Sequence, residues 1–204
     1  CARQQATLMV DDAHGLGVLG PQGAGSIAAA GLSQSQVPVL MGTLGKALGC
    51  AGAFVAGPAD LIEGLVQFAR SYIYTTAMPP ALAAATSAAV RIARAADDRR
   101  EILRGHIARF RKGAAQLGLT LMPSDTPIQP LLLADAEAAI RDAQVLETAG
   151  FLIPAIRPPT VPRGQSRLRI TLSAGHRDQD IDHLLDTLSR LPHASSASIS
   201  DGRA

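Results

Sequence analysis

The stretch Ala6-Thr7-Leu8-Met9-Val10-Asp11-Asp12-Ala13-His14-Gly15-Leu16-Gly17-Val18 decides how the rest of the chain is read. An apolar run ends abruptly in two acids, an imidazole and two glycines. The pattern predicts a buried strand over 6–11 followed by a loop, and the C-terminal end of a strand is where open α/β sheets bind ligands. Two later runs, 37–42 and 52–56, are also rich in Val, Leu, Met and Phe. Short, continuously apolar strands of this kind are expected in a sheet covered on both faces.

Composition sets the outer limits. Of 204 residues, 47% are hydrophobic and 18% charged, and no apolar run approaches the ~20 residues that cross a bilayer. That balance suits a globular chain rather than a disordered or membrane-spanning one. Nineteen Lys and Arg against seventeen Asp and Glu leave a formal charge of +2, and there is no Trp, with only two Tyr and four Phe. These are too few basic and stacking groups for a nucleic-acid surface. Cys1 and Cys50 cannot make a disulfide framework and no signal-peptide pattern opens the chain, so a reducing cytoplasm fits. The chain begins at Cys1 and enters a strand within a few residues, and it therefore reads as the C-terminal part of a longer protein.

Beyond the three strands, Asp60-Leu61-Ile62-Glu63 has the form of a capping box and predicts an amphipathic helix over 60–71. Pro79-Pro80 opens an Ala-rich helix to about Ala96, the expected domain joint. From Asp97 the chain is dense in Arg, with Leu103, Ile107, Phe110, Ala114 and Leu117 at steps of four and three, a helix with one buried stripe. Strands are then predicted at 119–122, 127–134, 151–156 and 167–174, with helices at 135–149 and 178–191. The expected organisation is part of a large α/β domain over 1–88, a small α+β domain over 89–192, and a disordered tail over 193–204 with little to bury.

Several residues could carry chemistry. Asp11, Asp12 and His14 sit at a strand end, where a charge needs a partner. A divalent metal is one such partner, but only one His is near and no second motif with metal spacing follows. In the plainer reading, Asp11 or Asp12 caps the following turn and His14 is a satisfied loop residue. Thr43-Leu44-Gly45-Lys46-Ala47-Leu48-Gly49 places one lysine among glycines after the second strand. It is not a phosphate-binding loop of the G-x-x-x-x-G-K-[ST] type, because Ala47 follows the lysine. A surface lysine is the ordinary reading. The apolar neighbours predict partial burial, which would lower the amine's pKa and suit it to Schiff-base formation. An acid and an imidazole at one strand end, with a lysine some thirty residues on, match what a pyridoxal-phosphate site requires.

The set Asp11-Asp12-Ala13-His14-Gly15-Leu16-Gly17-Val18-Leu19-Gly20, Thr43-Leu44-Gly45-Lys46, Ser71-Tyr72-Ile73-Tyr74-Thr75-Thr76-Ala77-Met78-Pro79-Pro80 and Arg167-Leu168-Arg169-Ile170-Thr171 resembles the α-oxoamine synthases. These are fold-type I pyridoxal-phosphate enzymes that condense an amino acid with an acyl-CoA. The resemblance runs over about residues 6–192. Ile128-Gln129-Pro130 and Ala155-Ile156-Arg157-Pro158-Pro159-Thr160-Val161-Pro162-Arg163-Gly164 resemble the biotin-synthesis branch more than the glycine-using siblings. That branch joins L-alanine to a pimeloyl thioester, carried on CoA or on a carrier protein.

The resemblance implies that Asp11 binds the ring nitrogen of pyridoxal 5'-phosphate, His14 meets its hydroxyl oxygen, and Lys46 is the Schiff-base lysine and proton shuttle. Thr43 is expected at the cofactor phosphate, and Thr75 and Thr76 at the phosphate across a homodimer interface, so that two subunits share the site. By themselves the two threonines read as ordinary turn residues before Pro79. Arg169 is assigned to the amino-acid carboxylate. Without the resemblance, Arg167 and Arg169 on one face of a strand would read as members of surface ion pairs. Arg157 and Thr160, in a Pro-rich loop, are assigned to the substrate, although Arg157 also reads as a plain loop residue. His106, His176, His183 and His193 receive no role, and Cys50 is expected in the core. The family's glycine-rich phosphate turn and ring-stacking aromatic have no counterpart in these motifs, so the 204 residues alone are expected to be inactive. Three rivals stand beside this reading: a glycine C-acetyltransferase or 5-aminolevulinate synthase of the same family, a noncatalytic fragment, and a metal-dependent hydrolase built on Asp11, Asp12 and His14.

Overall fold

The computed structural model describes residues 1–191, and the tail predicted over 193–204 lies outside them. Two compact units divide between Asp98 and Arg99. The boundary read from sequence at 88 falls inside a helix, Pro80–Ala95.

In the first unit, β1 (Met9–Asp11), β2 (Val39–Thr43) and β3 (Ala53–Ala56) form one sheet in the order β1-β2-β3. β1 runs parallel to β2, with Asp11 opposite Met41, and β3 is antiparallel to β2, with Ala53 opposite Thr43. The connection over 12–38 is long enough for a crossover and contains the single-turn helix α1 (Ser26–Ala29). The connection over 44–52 is too short for one, so β3 returns as a hairpin strand.

Only the central strand β2 has buried residues, whereas Met9 on β1 and Val55 on β3 are 55% and 39% exposed among the described residues. α2 spans Ala59–Phe68, and the Asp60–Glu63 capping box does not form. Pro58 stands at the N-cap and starts the helix one residue early, which moves Asp60 into the first turn, where its charge acts on the helix dipole instead. α3 (Pro80–Ala95) begins after Pro79 as predicted, and α4 (Asp97–Gln116) follows it across the division.

The second unit contains the larger core. β4 (Ile128–Leu132), β5 (Ala155–Ile156) and β6 (Arg167–Thr171) form an antiparallel sheet in the order β4-β6-β5. Leu168, Ile170 and Leu172 are buried with Ile107, Phe110 and Ala114 of α4, with Leu146 of α5 (Ala136–Thr148), and with Ile181, Leu184 and Leu188 of α6 (Asp178–Ser189). Each fully buried aliphatic or aromatic side chain contributes about 1.5–3 kcal/mol. Leu117, the last member of the predicted stripe on α4, is exposed, because the helix ends at Gln116. Gly113 of α4 faces Leu185 of α6, and a β-carbon there would collide with that side chain. The strand predicted at 119–122 is reduced to a bridge between Leu121 and Leu131, flanked by hydrogen bonds from Leu132 N–H to Thr120 O and from Met122 N–H to Pro130 O.

Candidate active site

The parallel pairing of β1 and β2 fixes the first relationship in the site. Their C-terminal ends point the same way, so the loop after Asp11 and the loop after Thr43 leave the sheet at one edge. Asp11 is exposed at the end of β1, and its Oδ1 accepts a 3.0 Å hydrogen bond from the Ala13 backbone N–H. His14, three residues further along, is also at the surface.

Asp12 behaves differently from both. It is 3% exposed, and its Oδ2 accepts a 2.8 Å hydrogen bond from the Ser26 backbone N–H. Of the two acids, Asp11 therefore closes the local turn and Asp12 holds the start of α1.

The loop over 12–25 folds back on the sheet. Leu16 covers Gly42 of β2, where a β-carbon would strike both Leu16 and the Phe54 ring. The loop is closed by hydrogen bonds from Gly17 N–H to Gly23 O and from Gly25 N–H to Leu19 O, 2.8 Å each. It also touches the lysine loop: a β-carbon on Gly17 would stand 2.8 Å from the Ala47 β-carbon.

Lys46 occupies the hairpin between β2 and β3, held by Leu44 N–H to Gly52 O at 2.9 Å, Cys50 N–H to Leu44 O at 2.8 Å and Gly49 N–H to Lys46 O at 3.0 Å. It is exposed rather than partly buried. The apolar signal came from Leu44, which is buried while the lysine two residues on is exposed. Cys50 is half-buried rather than in the core. Thr43, the last residue of β2, has a buried Oγ1 with no hydrogen-bond partner among the described residues. Leaving such a group unpaired costs about 1–3 kcal/mol, so the site has an unmet need for a polar ligand atom.

Thr75 and Thr76 are exposed in the segment between α2 and α3. Thr75 closes a turn, its Oγ1 donating to Ser71 O at 3.2 Å and its N–H to Tyr72 O at 2.8 Å. The same segment reaches the lysine hairpin through Met78, whose Cε lies where a β-carbon on Gly52 would be crowded at 2.8 Å.

In the second unit, Arg167 and Arg169 share one face of β6 but are used differently. Arg167 donates to Gln165 O at 2.9 Å and Gln165 Oε1 at 3.3 Å, and contacts Met122 Sδ at 2.9 Å. The half-buried Arg169 guanidinium has no partner among the described residues, and the residue borders a cavity of about 500 Å³ whose walls include Phe151, Ile153 and Leu184. Neither arginine forms the surface ion pair that a plain strand reading allows. Arg157 and Thr160 are exposed just after β5, in a turn closed by Thr160 N–H to Arg157 O at 3.0 Å.

The acid and imidazole after β1 and the hydroxyl and amine at the end of β2 thus lie toward the same end of the sheet. Residues 1–188 match the family model for aminotransferase class I and II. The chain belongs to that family. Its fold is the fold-type I α/β architecture of pyridoxal-phosphate enzymes. An 8-amino-7-oxononanoate synthase of Thioalkalivibrio sulfidiphilus is 62% identical over 190 residues, covering 93% of this chain and 48% of that protein. One from Marinobacter nauticus is 57% identical over the same length and shares. Among solved structures, a serine palmitoyltransferase of S. paucimobilis with a bound PLP-myriocin aldimine superposes with a TM-score of 0.85 at 29% identity, over 92% of this chain and 48% of that one. The 8-amino-7-oxononanoate synthase of Francisella tularensis gives 0.81 at 33% identity, over 89% and 53%. The chain thus spans about half the length of the relatives it matches.

Sequence alone leaves the division of labour between Asp11 and Asp12 open. Only the burial of Asp12 and its bond to Ser26, fourteen residues away, separates the two.

Proposed function

We propose that this chain belongs to a pyridoxal-phosphate-dependent acyltransferase that joins L-alanine to a pimeloyl thioester, with loss of carbon dioxide, to give 8-amino-7-oxononanoate for biotin synthesis. The observation that carries the reading is the contact of the two loops at Gly17 and Ala47, which puts Asp11, His14 and Lys46 at one sheet edge. The unpaired Thr43 Oγ1 at the head of the lysine hairpin supports it, since a phosphate oxygen would meet that hydroxyl's need. The identity to named 8-amino-7-oxononanoate synthases favours alanine and a pimeloyl thioester over glycine and shorter acyl groups.

When bound, pyridoxal phosphate supplies an electron sink for negative charge developing at the substrate α-carbon. The Asp11 carboxylate binds the ring nitrogen and keeps it protonated, because a nearby negative charge favours the charged form of the ring. His14 faces the ring hydroxyl oxygen. Lys46 Nζ would hold the cofactor aldehyde, and as a free amine it would be the base that moves the substrate α-proton. Thr43 binds the phosphate, with Thr75 and Thr76 reaching the same group from a second subunit of a homodimer. The Arg169 guanidinium orients the amino-acid carboxylate in a two-pronged, charge-assisted bond. Arg157 and Thr160 serve the acyl donor. The working enzyme is cytoplasmic, and no helix among the described residues is long and apolar enough to cross a membrane.

The test uses the full-length protein with Lys46→Ala beside the wild type. Wild type is expected to show the visible absorbance of lysine-bound cofactor and to turn over alanine with pimeloyl-CoA faster than glycine or serine with other acyl-CoAs. Lys46→Ala is expected to lose both the absorbance and the turnover. Retained turnover in the variant removes Lys46 from the chemistry, and a preference for glycine moves the protein to the glycine-using branch. The 204 residues alone are expected to give no condensation.

A further inference from the structure

We infer that Asp12 is a positioning residue whose buried carboxylate clamps the loop over 13–25 and thereby sets Asp11 and His14 for the cofactor ring. The inference rests on the cofactor reading above and concerns a residue to which that reading gives no task.

Three hydrogen-bonding groups of Asp12 anchor this loop. Its backbone N–H donates to Met41 O at 2.9 Å, extending the β1–β2 pairing one residue past the strand. Its carbonyl accepts from Gly15 N–H at 3.0 Å and Leu16 N–H at 3.1 Å, which turns the chain at His14. Its Oδ2 accepts from Ser26 N–H at 2.8 Å, tying the far end of the loop to its beginning. The residue is 3% exposed, so solvent cannot substitute for the Ser26 bond.

The surroundings are shaped around the carboxylate. A β-carbon on Gly15 would collide with Asp12 Oδ1, and one on Gly25 with Asp12 Oδ2. Gly25 also has a φ of +99°, which a side-chain-bearing residue would adopt only under strain. The backbone approaches both oxygens because neither glycine carries a side chain. Asp11 and His14 are both exposed on this frame, Asp11 just before Asp12 and His14 in the turn that the Asp12 carbonyl closes. Releasing the Ser26 bond would let the turn that carries them drift from the sheet edge.

Four proteins in full-length form test this: wild type, Asp12→Ala, Asp12→Asn and Ser26→Pro. Ser26 is the first residue of α1, where a helix admits proline, and Ser26→Pro replaces the N–H donor by a ring carbon that would press on Asp12 Oδ2, so it breaks the same clamp from its far side. The readouts are pyridoxal-phosphate affinity by absorbance titration, amide exchange over 13–26, and melting temperature. Asp12→Ala and Ser26→Pro are expected to weaken cofactor binding roughly tenfold to hundredfold, the loss of a buried charge-assisted bond, and to speed exchange over 13–26. Asp12→Asn keeps an oxygen acceptor for the Ser26 N–H and is expected to recover most of the affinity. If Asp12→Ala and Ser26→Pro bind the cofactor as tightly as wild type, with only the melting temperature lowered, Asp12 is structural and the inference fails alone. If wild type takes up no pyridoxal phosphate, the cofactor reading fails and takes this inference with it.

Discussion

Gly17 lies against Ala47, so close that a β-carbon on the glycine would stand 2.8 Å from the alanine's own. This is the point where the loop bearing His14 meets the hairpin bearing Lys46, and Gly17 has a φ of +80° as well. Gly17→Ala therefore meets two obstacles, a backbone conformation costing about 1–3 kcal/mol for a side-chain-bearing residue and a collision that pushes the loops apart. The expected outcome is a lower melting temperature together with weaker pyridoxal-phosphate binding. Adding Ala47→Gly should restore cofactor affinity more than stability, since it removes the collision and leaves the backbone strain. Equal recovery of both would show that loop separation does not govern binding.

The two arginines of β6 differ in what they have to lose. The Arg169 guanidinium has no partner among the described residues, whereas Arg167 is spent on Gln165 and Met122. In the full-length protein Arg169→Ala should raise KM for the amino acid roughly tenfold to hundredfold, as expected for a charge-assisted carboxylate contact. Arg167→Ala should leave that KM within about threefold and act through stability, at under about 1 kcal/mol for an exposed contact. Steady-state kinetics with alanine varied separates the two, and the reverse ranking would assign the carboxylate to Arg167.

What the sequence revealed and what it hid follow from how local each signal is. The end of β1 at Asp11, the helix start at Pro79-Pro80 and the helix stop before Gly150 rest on short-range chemistry, and they fall where the pattern placed them. Apolar content misled at Lys46, because a run of apolar neighbours does not say which way one side chain between them points. The same limit applies to the sheet of the first unit, where apolar strands do not say what lies against them. His106 is the clearest long-range case. The sequence gives it no role, yet it is 4% exposed, with Nδ1 3.0 Å from Ser173 O and Nε2 3.4 Å from Asp178 Oδ1. Nothing within four residues of His106 announces partners some seventy positions away.

Gln129 shows the same limit in a residue that the sequence singled out only as part of a motif. It is fully buried, its Nε2 donating to Ser124 O at 3.0 Å and Thr126 O at 2.7 Å and its Oε1 accepting from Arg111 at 2.9 Å. Gln129→Ala would strand carbonyls and weaken the Arg111 anchorage, with an expected cost of about 1–3 kcal/mol. Amide exchange over 120–132 should accelerate while exchange in the first unit stays as it was. A change confined to substrate selectivity, with no loss of protection, would mean that Gln129 marks the branch through chemistry rather than packing.

Acid should weaken the second unit through its α6 contacts. At the start of that helix, Asp180 accepts from the Arg177 guanidinium at 2.8 Å and from the Arg177 backbone N–H at 2.8 Å, and these bonds hold its carboxyl down to about 2. Arg109 on α4 binds Asp182 through two nitrogens at 2.7 and 2.6 Å, which likewise holds that carboxyl below the ordinary range. A carboxyl whose folded pKa is depressed adds stability that is in place above its unfolded value, about 3.9, and disappears as pH falls through the folded one. The contribution of Asp180 is therefore complete at pH 5 and declines between about 4 and about 2. Amide exchange in α6, measured at pH 5 and pH 3 and corrected for intrinsic rates, should show protection lost on acidification in the wild type. Asp180→Asn, which cannot titrate, should start less protected at pH 5 and lose less on the way down. Identical losses in the two proteins would place the acid sensitivity elsewhere, with the Arg109–Asp182 pair the next to test by Asp182→Asn.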